Sequence, residues 1–266
     1  MDNPWIAALV ALFVWWFATG AILWAVKRAD RGGPDAHLYT LLLSLPLLFF
    51  GVVALTATLD GSGPREVYLG FLSALAIWGW IEISFLAGIV TGPNRSECPP
   101  GLPLRARFAH AWGIVAYHEV LLTAALALIV WLSREAANTV ALWTFVVLYL
   151  ARISAKLNLF LGVPRINVEF LPLPLSHVPS HFRIARLNWL FPVSVTVLSL
   201  ATSCWLERLH STGEARFALL AALTGLALLE HWLMVLPLPD QKLWRWMIPA
   251  PRPDDEMLTR EKTHGL

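Results

Sequence analysis

Seven stretches of this chain are apolar for about twenty residues apiece, and no other feature restricts the fold as strongly. They run over about 4–26, 37–58, 66–90, 107–132, 137–155, 189–206 and 215–237. Roughly 20 apolar residues in helical form cross the hydrocarbon core of a bilayer. No water reaches the backbone there, so each segment must satisfy its own N–H and C=O groups, which a helix does. The separators carry turn and breaker residues: RGGPD at 31–35, DGSGP at 60–64, GPNRSECPPGLP at 92–103, SREAAN at 133–138 and LHSTGE at 209–214. The expected fold is therefore all-α, a polytopic membrane bundle of about seven transmembrane helices. Residues 1–237 form its single domain and 238–266 a tail.

Composition agrees. Charged residues make up 14% of the chain, against about 25% in a soluble domain. The mean hydropathy is +0.61, so lipid is the solvent for most of the chain. No basic run suits nucleic acid. Two cysteines, Cys98 and Cys204, lie in separate segments and form neither a disulfide framework nor a CxxC pair. The first stretch reads as a span rather than a cleavable leader. Asp2 precedes it, whereas Lys27, Arg28 and Arg31 follow it.

Lys and Arg set an orientation. With the first connection on the cytoplasmic side, only Arg65, Arg134, Arg208 and Arg216 fall outside. The other 16 of the 20 basic residues fall inside. The N-terminus is expected outside and the C-terminus inside, in the bacterial inner (cytoplasmic or intracytoplasmic) membrane. The long connections, 91–106 and 156–188, then face the cytoplasm. Segment 156–188 is too apolar for a free loop and too rich in proline for a span. It is expected to lie in the interface or fold back on the bundle. In the tail, Trp244 and Trp246 beside Lys242 and Arg245 read as an interfacial anchor.

Three spans carry acids and histidines in their interiors. Glu82 lies in AIWGWIEISFLAGIV, His118 and Glu119 in AWGIVAYHEVLLTAALALIV, and Glu230 and His231 in FALLAALTGLALLEHWLMVL. A charge near mid-bilayer costs roughly 2.5–3.5 kcal/mol, so these groups must be paired, protonated or ligated. At 1.5 Å per residue they lie roughly 10–17 Å from the cytoplasmic ends of their spans, a common depth. One reading is structural: Arg152 and Lys156 pair with Glu82, Glu119 or Glu230. A second is a metal site drawn from Glu82, His118, Glu119, Glu230 and His231, with Glu169 from the connection. The spacing departs from the Glu-x-x-His of di-iron bundles. A third is a tetrapyrrole site of the bacteriochlorophyll type, with His118 or His231 as axial ligand and His110 as a further candidate. His177 and His181 share a face if a helix continues through Pro179. Cys98 in SECPPG reads as a turn residue. A transporter with Glu82 or Glu119 as proton carrier lacks the paired halves such folds display.

The tract Arg152–Pro172, RISAKLNLFLGVPRINVEFLP, resembles the PuhE family of photosynthetic complex assembly proteins of purple bacteria. GWIEISFLAGIVTGP (79–93), Cys98-Pro99, YHE (117–119) and NWLFPVSVT (188–196) extend the resemblance, and the chain departs from it at Arg165 and through PLPLSHVPSH. The resemblance implies an integral membrane protein of anoxygenic phototrophs that supports photosynthetic complex formation or bacteriochlorophyll supply. Its implied contacts are membrane lipid and reaction-centre or light-harvesting subunits. It carries no catalytic residues over. The leading expectation is thus an assembly factor. The alternative is a membrane-embedded metal-dependent enzyme with a Glu/His site in the cytoplasmic half of the bilayer.

The orientation has a direct test. A reporter fused after Leu266 is expected to read cytoplasmic, and a periplasmic signal would overturn the seven-span alternation.

Overall fold

The computed structural model describes residues 3–237. The helices are α1 (Pro4–Ala29), α2 (Ala36–Leu43), α3 (Leu45–Thr58), α4 (Pro64–Leu86), α5 (Leu104–Leu132), α6 (Val140–Leu161), α7 (Leu190–Thr212) and α8 (Ala215–Leu233). Two short 3₁₀ turns, Leu173–Leu175 and Val178–His181, interrupt the connection between α6 and α7. Counting α2 and α3 as one span, seven helices among the described residues are long and apolar enough to cross a membrane. The expected fold is the observed one. The tail, with its Trp244–Trp246 anchor, lies outside the described residues.

Local chemistry explains the helix ends. Asn3 accepts a hydrogen bond from the Trp5 N–H at 2.9 Å, and Pro4 opens α1 where no N–H is needed. The second span breaks at Ser44. Pro46 has no N–H to continue the ladder, and the Ser44 hydroxyl donates to Leu41 O at 2.7 Å. At the far end of the bundle, Asn138 ties three elements together. Its N–H donates to Leu59 O at 2.9 Å, its side-chain amide donates to Glu66 O at 2.8 Å, and its Oδ1 accepts from Val140 at 3.1 Å.

Helix α4 is the axle of the bundle. Phe71 joins Ala7 and Ala11 of α1, Val147 of α6 and Leu219 and Leu223 of α8 in one apolar cluster. Ile77 and Ile81 join Leu55 of α3, Leu122 and Ile129 of α5 and Phe145 of α6 in a second. Gly51 lets α3 approach closely: a Cβ there would stand 2.7 Å from Ile77 Cγ1 and 3.0 Å from Ser73 O. Large apolar side chains such as Phe13, Phe49, Trp131 and Leu200 point outward, as a lipid-facing surface requires.

Alternation of the helices puts connections 30–35, 87–103 and 162–189 at one end, hereafter the connection end. Cross-links between them agree. Lys27 Nζ donates to Leu171 O at 2.7 Å, the Leu173 N–H donates to Asp30 Oδ1 at 2.9 Å, and the Cys98 N–H donates to Ser180 Oγ at 2.9 Å.

Both long connections fold into the bundle. The segment expected to begin at 156 begins at Gly162 instead, because no breaker stops α6 before that glycine. Lys156 therefore belongs to α6. Val163 and Ile184 form a parallel bridge, and Leu175 and Val178 pack on Phe85 and Ile114. Gly162 adopts φ 125°, and a Cβ there would press on Ala185 Cβ at 2.8 Å. The third span, expected to reach 90, stops at Leu86. Gly88, at φ 73°, turns the chain back along α5. There Thr91 O accepts from the His118 N–H and Gly113 O from the Asn94 N–H, both at 3.0 Å. Gly92 lies so close that a Cβ would come within 2.1 Å of Gly113 O. Irregular backbone at this depth is satisfied by protein.

Candidate functional site

Helix α6 carries Arg152 and Lys156 four residues apart, hence on one face. That face looks at α4 and α5. Arg152 Nη2 donates to Glu82 Oε2 at 2.6 Å, and Lys156 Nζ donates to Glu119 Oε1. Phe85, one turn beyond Glu82, lies under both cations. The Arg152 guanidinium is 6.0 Å and the Lys156 ammonium 5.2 Å from its ring centre. The His118 ring packs against the same phenyl at 4.4 Å. A phenyl face bearing negative charge suits two cations held out of water.

His118 is fully buried. Its Nε2 lies 3.7 Å from Glu82 Oε1, and neither atom has a hydrogen-bond partner, nor does His118 Nδ1. This is the one place in the network where an acid and an imidazole face each other with unused capacity.

The seventh-span pair divides. His231 is engaged on both nitrogens: Nδ1 donates to Ala227 O at 2.8 Å, and Nε2 accepts from the Ser154 hydroxyl at 2.9 Å. Glu230 is exposed at the bundle surface, accepts from Trp15 and lies within electrostatic reach of Arg152 and Glu82. Glu169 is exposed in a turn of the connection, with its N–H held by Asn167 Oδ1 at 3.1 Å.

The structure thus brings Glu82, His118, Glu119, Arg152 and Lys156 into one network. It does not gather Glu82, His118, Glu119, Glu169, Glu230 and His231 around one point. Among the described residues, the group of three or more potential ligands in mutual reach is a different one, Cys98, His110 and His181. No helix continues through Pro179, so His177 and His181 do not share a helical face. Pro179 confines the segment to a 3₁₀ turn, and His181 stacks on His110 instead. This grouping was hidden in the sequence because its members come from two connections and a helix, with 71 residues between His110 and His181 alone.

Beside the ion pairs a groove opens between α5 and α6, with a volume of about 550 Å³. Its walls are apolar, including Trp112, Val120, Ile153 and Phe160. Three polar features punctuate it: the Glu119–Lys156 pair, the Thr123–Tyr149 hydroxyl pair at 2.9 Å, and His181 at the connection end. Arg107 closes that end. It donates to Phe160 O and His181 O at 2.8 Å each and covers the Phe160 ring.

The model of the family described as "Protein of unknown function (DUF3623)" matches residues 1–255, and the chain belongs to that family. It is 54% identical over 254 residues to an uncharacterized 30.4 kDa protein in the puhA 5' region of Rhodobacter capsulatus. The match covers 94% of this chain and 93% of the relative. No solved structure matches.

The pairing has a measurable signature. Lys156→Ala strands a buried carboxylate and is expected to cost about 3 kcal/mol, read as a lower unfolding temperature in detergent. Glu119→Gln combined with Lys156→Met is expected to recover most of that loss. Equal losses in the single and double variants would show that the charges are not coupled.

Proposed function

We propose that this DUF3623 member is an integral-membrane assembly factor of the PuhE type for photosynthetic complexes, acting in bacteriochlorophyll supply. The observation that carries the reading is the groove between α5 and α6. It is apolar along its length yet offers a cation–carboxylate pair, a hydroxyl pair and an imidazole at intervals. That pattern suits a bulky lipophile with a few polar substituents, which is the chemistry of a chlorin and its isoprenoid tail. A water-soluble metabolite finds little to bind there. The relative's place in the puhA 5' region and the resemblance of residues 79–196 to assembly proteins support the same assignment. Reaction-centre or light-harvesting subunits are the partners it implies.

In this reading the chain's residues divide their work. Phe160, Val120 and Ile153 take up apolar surface. Lys156 and Glu119 are the groups that orient a polar substituent. The covered connection end keeps water from the groove.

A second reading is a membrane-embedded metal-dependent enzyme. It draws on Glu82 Oε1 and His118 Nε2, which are buried, 3.7 Å apart and without hydrogen-bond partners.

The test is genetic and biochemical. A phototrophic host lacking this gene is expected to accumulate reaction-centre complexes at a reduced level, restored by the wild-type gene. Ala124 of α5 lines the groove, and Ala124→Trp, which fills it, should not restore the level. Chlorin is expected to co-purify with wild type and be lost in Ala124→Trp. Unchanged complex levels in the deletion strain would refute the assembly role. Stoichiometric metal lost in Glu82→Ala, with no bound pigment, would favour the enzyme.

A further inference from the structure

Outside the charge network, at the groove's connection end, Cys98, His110 and His181 converge. One ligand-capable atom from each lies within 4.8 Å of the others. His110 is on the second turn of α5, His181 closes the Val178–His181 turn, and Cys98 lies in the connection between α4 and α5. His110 Nδ1 and His181 Nε2 are 2.8 Å apart, and the rings are nearly parallel at 13°.

The surrounding hydrogen bonds assign the His181 proton. Ser180 Oγ donates to His177 O at 2.7 Å, so its lone pairs accept. They accept from the Cys98 N–H at 2.9 Å and from His181 Nδ1–H at 3.0 Å. His181 Nε2 is then the lone-pair nitrogen. On the other ring, Asn94 Nδ2 stands 3.0 Å from His110 Nδ1 and 3.2 Å from its Nε2, and it also donates to His110 O at 3.1 Å. Ser96 Oγ, whose proton goes to Asn94 Oδ1 at 2.8 Å, stands 3.4 Å from His110 Nε2. With its proton on Nε2, His110 turns a second lone pair toward His181 Nε2, beside a thiol, and the three together can take a metal ion.

A neutral imidazole presents the lone pair that ligates a metal. In a tetrahedral site with metal–nitrogen bonds of about 2.0–2.1 Å, the two nitrogens stand about 3.3 Å apart. The rings need part by only about half an ångström to reach it. Each far nitrogen already has a hydroxyl partner, the outer-shell arrangement that orients metal-bound histidines.

We propose that Cys98, His110 and His181 form a binding site for a divalent transition metal ion of the zinc class. Two imidazoles and a thiolate suit zinc and not magnesium or calcium, which take oxygen ligands. On binding, the Cys98 thiol releases its proton to solvent and its sulfur joins the metal. The fourth position is left for water or a fourth ligand. The ion pins connection 87–103 and the Val178–His181 turn to α5, and so holds the cover over the groove's end. The assignment takes His181 for the metal and leaves the Glu119–Lys156 and Thr123–Tyr149 pairs to the pigment reading.

The test uses the full-length protein in detergent, stripped with chelator and titrated with Co²⁺. Wild type is expected to bind one equivalent, to show thiolate-to-cobalt charge-transfer absorption, and to lose it when Zn²⁺ is added. Cys98→Ser should abolish that absorption, and Cys204→Ser should leave it intact. Ser180→Ala, which removes the outer-shell partner of His181, should weaken Zn²⁺ binding about 10–100-fold. Glu82→Ala should leave the cobalt spectrum unchanged, which separates this site from the intramembrane one. Wild-type protein without the charge-transfer band overturns the proposal, as does a band that survives Cys98→Ser or vanishes only in Glu82→Ala. Should His110→Ala or His181→Ala fail to fold, the wild-type, Cys98→Ser and Ser180→Ala results still decide.

Discussion

Two carboxylates buried among apolar helices fix how α4, α5 and α6 can meet. Each would cost roughly 2.5–3.5 kcal/mol if left alone in hydrocarbon. Helix α6 meets that cost with one face, where Arg152 reaches Glu82 and Lys156 reaches Glu119. The Phe85 ring serves both cations. Sliding α6 by one turn, or rotating it, would strand both pairs at once. The network therefore sets register as well as offsetting desolvation, and it sets the spacing of α5 from α6. The groove between those helices follows from that spacing.

The second constraint is covering. Chains at this depth cannot leave backbone groups bare, yet α4 ends at Leu86 and the following residues run beside α5. Thr91 O and the Asn94 N–H find partners on α5 itself, and Gly92 and Gly113 supply the close approach. The connection 162–189 then lies over Phe85 and Ile114, held by Lys27, Asp30 and Arg107. The connection end is a built lid, and His181 lies inside it against His110 of α5.

How much of this was legible in the sequence depends on range. The spans were legible because hydropathy and breakers act locally. The pairing of Glu82 and Glu119 with Arg152 and Lys156 was legible as chemistry, since few cations lie near those acids in depth. Which cation meets which acid was not, because that depends on the rotation of α6. Lys156 itself was placed at the start of a connection, for want of a breaker signal before Gly162. Glu230 and His231 share the depth of the cluster, but adjacent residues on a helix point about 100° apart, and one turns inward to Ser154 while the other faces outward. The approach of Cys98, His110 and His181 was invisible, because it joins two connections and a helix across residues 98–181 and no local spacing marks it.

The Arg152 and Lys156 pairs require Glu82 and Glu119 to be carried in the membrane as carboxylates. Infrared spectroscopy of the protein in lipid bilayers at neutral pH reads this directly. Ionised-carboxylate absorption is expected, losing intensity in Glu82→Gln and again in Glu119→Gln. A protonated-carboxyl band at neutral pH that disappears in either variant would contradict it.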